Sequence, residues 1–390
     1  MSIKNLGYRL FGFMFRVFRV FPIKENKAFL IATHDDSKEG NIAVAAAAIQ
    51  KKRPDMHFVW MRKKDKASHP VTFFLKKAYH MATSSIILLD NVFMPMAYTR
   101  ISPKVRVIQL WHGTGTIKKF GLDSDGEEVA RIAREGNKRI TWLTVNGERT
   151  REQYRSAFGI EPGRIRMTGL PRTDLLLDEG YMKKARLRFL GGIRGKISEP
   201  EVKRYVLYAP TFRDSEADAP RLMLDLDVFL GSMPDDVIIL LRFHPFVAKS
   251  FSNGEGLMRT LNDRYKNRVI DVSGYKGVTT LLSVADVLIT DYSSIIFEYA
   301  LTYKPMIFYA YDLSDFVKNG RDFYEKYEDF VPGAVAQTEK ELIRETRAAL
   351  FALDEGTFDT GRIRSFVEDN YKRADGHAAD RVADLALRQG

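Results

Sequence analysis

The sequence predicts an α/β protein built as two parallel-sheet domains behind an amphipathic amino-terminal helix. Three observations carry that prediction. From residue 27 onward, short apolar runs alternate with helical patterns, the βαβα order that gives a mostly parallel sheet with helices on both faces. The alternation breaks once, at 183–204 ("KKARLRFLGGIRGKISEPEVKR"), where Gly191, Gly192 and Gly195 mark a domain boundary, and then resumes. A chain of 390 residues, 45% hydrophobic and 12% aromatic, has material for two cores. The expected segments are 1–24 (helix), 25–195 (first domain), 196–365 (second domain) and 366–390 (closing helices).

The opening segment, "MSIKNLGYRLFGFMFRVFRVFPIK", reads as a helix ended by Pro22. It is too interrupted by Arg9, Arg16 and Arg19 for a signal peptide or a membrane span. Its phenylalanines and cations suit either a membrane interface, with rings at the acyl boundary and arginines on lipid phosphates, or a helix docked on its own domain. The first domain then follows in order. "KAFLIAT" is a strand, "GNIAVAAAAIQKKRP" a helix, "HFVWMR" a strand, "PVTFFLKKAYHMATS" a helix, and "SIILLDN" a strand. "VRVIQLWHG" and "ITWLTVN" are further strands, "GERTREQYRSAFG" is a helix stopped at Gly159, and "RIRMTG" is a short strand. In the second half "RYVLYAPTFR", "DVIILLRFHP", "RVIDVSG", "ADVLITDYSS" and "KPMIFYAYD" are strands, and "EKELIRETRAALFAL" is a helix. An internal echo links "MATSSIILLDN" at 81–91 with "SVADVLITDYS" at 283–293: helix end, apolar strand, then aspartate.

Composition removes several function classes. There is no cysteine, which excludes disulfides, zinc-thiolate sites and cysteine nucleophiles. Seven scattered histidines show no metal-ligand spacing, so no metal site is expected. A net charge of +11 points to a polyanionic partner such as phosphorylated substrates or an anionic membrane surface. Nucleic acid is not expected, because no nucleic-acid motif or aromatic-basic interleaving is present.

Chemistry-bearing residues gather where strands end, the edge at which open α/β sheets bind ligands. Thr211 and Arg213 follow one strand, and Arg242 and His244 another. Asp291, Ser293 and Ser294 follow a third and open a helix that carries Glu298. Helix-start N–H groups and these cations would together make a diphosphate pocket. Glu298 could accept ribose hydroxyls or complement the helix dipole. In the first domain, "VIQLWHGTGTIKKFG" leaves its strand through Trp111 and His112. His112 is a candidate general base, Gly113 and Gly115 permit close backbone approach, and Lys118 and Lys119 are candidates for acceptor phosphates.

"WHGTGTIKKFG", "GLPRTD", "YAPTFRD", "LLRFHP" and "ADVLITDYSSIIFEYALTYKPMIFYAYDL", in this order, resemble the CDP-glycerol glycerophosphotransferase family of wall teichoic acid synthesis. The resemblance covers about residues 85–345. It implies a GT-B architecture, two Rossmann-like domains facing across a cleft, held peripherally at the cytoplasmic face of the cell membrane. It also implies CDP-glycerol as donor, an undecaprenyl-diphosphate-linked disaccharide as acceptor, CMP as leaving group, and no metal or other cofactor. His112 matches the family's catalytic base, His244 and Arg242 its donor-phosphate residues, and Ser293 and Ser294 its helix-start donors. Asp291 and Glu298 fall in the same donor block, and Arg213 matches a strand-end arginine. The chain departs from the pattern "HGTPLKK" by one extra residue between His112 and the lysines. "KKFGL" at 118–122 favours a primase that adds the first glycerol phosphate. The alternatives are a poly(glycerol phosphate) polymerase, another CDP-alditol phosphotransferase, or a GT-B nucleotide-sugar glycosyltransferase.

Overall fold

The computed structural model describes residues 3–63, 65, 70–211, 213, 222–243, 260, 263–265, 267–319 and 322–388. The chain divides into two compact units, Met1–Leu175 with Asp369–Gly390, and Leu176–Glu368.

The first unit holds β1 (Lys24–Ala32), β2 (His57–Arg62), β3 (Ser84–Leu89), β4 (Arg106–Gln109), β5 (Trp142–Thr144) and β6 (Ile165–Arg166). All pairings are parallel and the order is β2-β1-β3-β4-β5-β6. The central strand β3, "SSIILL", is buried along its whole length, as a parallel strand covered on both faces requires. Two apolar clusters cover the sheet. One is built around Phe29, Ile87 and Val107, the other around Leu30, Leu88 and Ile108. The covering helices include α1 (Ile3–Phe18), α2 (Asn41–Lys52), α3 (Pro70–Ala82), α4 (Glu127–Asn137) and α5 (Glu148–Phe158). Gly159 ends α5 in the left-handed conformation, at φ +60°.

The second unit holds β7 (Arg204–Ala209), β8 (Val237–Leu241), β9 (Val269–Asp271), β10 (Val287–Thr290), β11 (Met306–Tyr309) and β12 (Ala334–Ala336). Its parallel order, β9-β8-β7-β10-β11-β12, is the doubly wound dinucleotide-fold order 3-2-1-4-5-6.

The division differs from the expected boundary at 195/196. A helix at Glu179–Ile193 buries Ala185, Phe189, Leu190 and Ile193 and packs on the helix Val278–Val284 of the second unit. Arg186 Nη1 donates to the Val284 carbonyl at 2.6 Å. The basic stretch as far as Ile193 therefore belongs to a covering helix inside the second unit. The chain end crosses back: the helix Ala378–Leu387 packs on α2 in the first unit. The Asp174 carboxylate caps its start, accepting from Ala378 N at 2.9 Å and Ala379 N at 2.7 Å.

Helix α1 docks on its own unit with one face. Phe11 and Phe15 enter the core, with Phe11 edge-on to Phe74 and Phe93. Gly12 lies so close to Tyr98 that a Cβ there would sit 2.5 Å from its carbonyl oxygen. Leu6, Leu10, Phe13 and Val17, spaced i, i+4, i+7 and i+11, form a second apolar stripe that is exposed to solvent. Among the described residues no helix is long and apolar enough to cross a membrane.

Candidate functional site

In open parallel sheets, ligands bind at the carboxyl edge where the winding reverses. That point lies between β1 and β3 in the first unit and between β7 and β10 in the second. An aspartate follows the later strand of each pair: Asp90 after β3 and Asp291 after β10.

Asp90 organises the first of these places. Its carboxylate accepts from Thr33 N at 2.9 Å and Asp35 N at 2.9 Å, and both oxygens lie within 3.2 Å of His34 N. This fixes the turn by which the chain leaves β1. The Asp90 carbonyl also lies 2.9 Å from His112 Nδ1. A carbonyl only accepts, so Nδ1 carries the proton and Nε2 presents a lone pair.

His112 reaches this position through a strained residue. Trp111, just past β4, has φ +58°, a conformation costing roughly 1–3 kcal/mol in a bulky residue. It is held there at both ends of its peptide unit. The Gln109 side chain accepts from its N–H at 2.9 Å, and Asn41 donates to its carbonyl at 3.0 Å. The Trp111 ring packs on Phe120 and Phe158. The loop beyond is pinned by Tyr154, which donates to the Gly113 carbonyl at 2.7 Å, and by Asn146, which donates to the Thr114 carbonyl.

The His112 imidazole is bracketed by rings. His34 stacks on it at 3.6 Å with 9° between planes, and the Trp111 ring centroid lies 3.9 Å away. Two rings that close cannot share one face. The loss of hydration and the neighbouring His34 lower the His112 pKa to about 3, so the imidazole is neutral at physiological pH. Arg172, after β6, ties the loops together: it donates to Asp35 Oδ2 at 2.6 Å and to the His112 carbonyl at 3.2 Å. Burial opposes ionisation of Asp35, but Arg172 and Ser37 hold its carboxyl below the usual range. Burial pushes Asp90 up to about 6 against the pull of its three N–H donors. Lys118 and Lys119 lie partly buried farther along the loop, where Thr116 Oγ1 donates to the Lys118 carbonyl at 2.6 Å.

The second unit repeats the device. Asp291 Oδ1 accepts from Thr211 N at 2.8 Å, fixing the exit of β7, and Asp291 Oδ2 pairs with Arg213 Nη1 at 2.5 Å. Arg213 is a correction to the sequence reading, which set it on the rim as a phosphate donor. It is buried. Its Nε and Nη2 donate to Asp312 at 3.0 and 2.9 Å, and Nη1 also donates to the Thr211 carbonyl. Tyr292, Tyr311 and Phe316 surround the guanidinium, with ring centroids 5.2–5.5 Å away. Arg213 and Asp291 therefore shape the loop through each other.

Four other residues stay at the edge. The Thr211 hydroxyl has no hydrogen-bond partner among the described residues. Arg242 Nη1 donates to the Tyr275 carbonyl at 3.2 Å from the end of β8. Ser293 Oγ accepts from Ile295 N at 3.3 Å, and exposed Ser294 makes no cap bond. The helix they begin, Ile295–Ala300, has only six residues, and Glu298 is buried within it. His244 lies outside the described residues.

Sequence reasoning missed His34, Asp90 and Arg172 as site residues. The signal was available: "LIATHDD" is a strand ending in polar residues, like those weighed in the second half.

Two Rossmann-like units with a polar constellation at each switch point define a two-unit nucleotide-fold protein. Residues 13–388 match the CDP-glycerol:poly(glycerophosphate) glycerophosphotransferase family, and the chain belongs to it. It is 34% identical over 390 residues to the teichoic acid poly(ribitol-phosphate) polymerase of Bacillus spizizenii, covering 98% of this chain and 59% of that one. It is 33% identical over 310 residues to the ribitol-phosphate polymerase TarL of Staphylococcus aureus, covering 78% and 51%. The chain thus spans between half and three-fifths of the length of these two relatives. The structure resembles that of the wall teichoic acid polymerase TagF, with a TM-score of 0.80 and 25% identity, covering 98% of this chain and 95% of that one.

The pairing of Arg213 with two carboxylates yields a prediction. Arg213→Met should cost about 3–5 kcal/mol of stability by leaving Asp291 and Asp312 uncompensated, read as an earlier urea midpoint of the full chain. A variant with wild-type stability that loses only donor affinity would return Arg213 to the role of a ligand contact.

Proposed function

We propose that this chain is a CDP-alditol phosphotransferase of teichoic acid synthesis that moves glycerol phosphate from CDP-glycerol to a lipid-linked acceptor. The observation that carries the proposal is the His112 imidazole, neutral, tethered at Nδ1 to the Asp90 carbonyl, with Nε2 left to accept a proton. Membership of the family supports the donor class.

In this reading Nε2 takes the proton of an acceptor hydroxyl as its oxygen attacks the β-phosphorus of the donor. The new P–O bond joins acceptor and alditol phosphate, the bond to the α-phosphate oxygen breaks, and CMP leaves. An imidazole with a pKa near 3 is a weak base. A donor bound with its diphosphate beside the ring would raise that basicity. In the second unit Thr211, Arg242, Ser293 and Ser294 are the residues proposed to meet the phosphates, and no metal is assigned a step. A second reading, transfer of ribitol phosphate from CDP-ribitol, is favoured by the identity to two ribitol-phosphate polymerases.

The exposed Leu6, Leu10, Phe13 and Val17 stripe, with Arg9 and Arg16 also exposed on α1, supports a peripheral site on an anionic membrane, where a lipid-linked acceptor resides.

Acceptor-dependent CMP release, assayed with CDP-glycerol and CDP-ribitol in parallel and with EDTA, tests the reaction. One added unit identifies a primase, and a ladder of products a polymerase. His112→Ala should lower turnover about 10²–10⁴-fold with donor affinity nearly unchanged, and a loss under about threefold would remove the base assignment. The double variant Leu10→Glu, Phe13→Glu should abolish sedimentation with phosphatidylglycerol vesicles while sparing transfer to a soluble acceptor analogue. Unchanged sedimentation would remove the membrane reading.

A further inference from the structure

We propose that His34 is a positioning residue for His112, its ring serving as the flat wall that fixes the plane in which His112 Nε2 is presented. The inference rests on the reading of His112 as the base and adds a residue to that machinery.

The fold spends several contacts on the stack. Parallel pairing of β1 with β3 sets Ile31 opposite Leu89, so residues 33–35 emerge beside Asp90. There the Asp90 carboxylate takes the N–H groups of Thr33, His34 and Asp35. The His34 backbone is thereby fixed to the residue whose carbonyl tethers His112 Nδ1. The two imidazoles meet at 3.6 Å and 9°, the separation of flat rings in full van der Waals contact.

The tether alone does not define where Nε2 points. An imidazole held at Nδ1 can still swing about that hydrogen bond, because the terminal torsion of histidine is broad. A ring on one face and Trp111 on the other remove that freedom: any swing drives an edge of His112 into one of them. His34 is itself solvent-exposed, so it contributes little to the core. A ring placed at the surface against the candidate base is explained by what it does to that base. Arg172 and Asp35 complete the frame from the neighbouring loops.

The requirement is for a flat ring, which separates the proposal from a chemical role for the His34 nitrogens. The test compares His34→Ala, His34→Phe and His34→Leu in the full chain, each also combined with His112→Ala, with acceptor-dependent CMP release as readout. His34→Ala and His34→Leu should lower kcat roughly 10–100-fold with KM for the CDP-alditol within about twofold, a misorientation effect. His34→Phe should keep at least about a third of wild-type kcat. In the His112→Ala background every His34 substitution should cost less than about twofold, because a residue acting through His112 has nothing left to position. His34→Leu fills the same volume, so a fold that tolerates it rules out collapse of the loop as the cause. The proposal is overturned if His34→Ala stays within threefold of wild type. It is overturned equally if His34→Phe is as slow as His34→Ala, or if the losses multiply in the His112→Ala background. Full activity of His112→Ala alone would instead refute the base reading, and this inference with it.

Discussion

One buried carboxylate carries the architecture of the first unit's site. The Asp90 side chain holds three consecutive N–H groups at the exit of β1, and its main-chain oxygen holds His112 at the exit of β4. Two loops far apart in sequence are thus referred to a single residue at the end of the strand between them. Each unsatisfied N–H would cost on the order of 1–3 kcal/mol, so the turn after β1 has no equivalent alternative while Asp90 is ionised. Burial raises its pKa to about 6, which leaves the carboxylate ionised at neutral pH.

The second unit uses the same solution. Asp291 follows β10 as Asp90 follows β3, and it fixes the loop leaving the adjacent strand β7 through Thr211 N. The difference lies in the company each keeps. Asp291 faces Arg213 and forms part of a buried ion pair shared with Asp312, whereas the Asp90 carboxylate accepts from the N–H groups of Thr33, His34 and Asp35 and, at 3.5 Å, from the Thr33 hydroxyl, with a neutral imidazole beside it. One frame therefore holds a buried ion pair in one unit and a neutral imidazole in the other. The echo between 81–91 and 283–293 is the trace of this shared device in the sequence.

Much of this was legible from residues alone. Buried parallel strands announce themselves as apolar runs, and β2 has the bounds its composition suggests, His57–Arg62. His112 stood out because an apolar strand ends there in a Trp-His pair followed by glycines. Other features were hidden for physical reasons. Helix α4 carries five charged residues among its eleven, and β12 has only three residues. The helix at 179–193 hides four buried apolar residues among arginines and lysines, and its glycines read as a domain boundary. The fate of Arg213 depends on Asp312, almost a hundred residues away, and no local pattern pairs them. The His34–His112 stack is likewise a tertiary contact, created by strand register and by the left-handed turn at Trp111.

The central claim is that His112 is neutral, with its proton on Nδ1 and a lone pair on Nε2. Nitrogen-15 NMR of histidine-labelled protein, titrated from about pH 8 down to about pH 5, measures this directly. With only seven histidines, assignment by single substitution is practical. The structure predicts that His112 keeps the shifts of a single neutral Nδ1–H tautomer across the whole range, since its pKa lies near 3. An imidazole that titrates near pH 6.5, or that carries its proton on Nε2, would contradict the account.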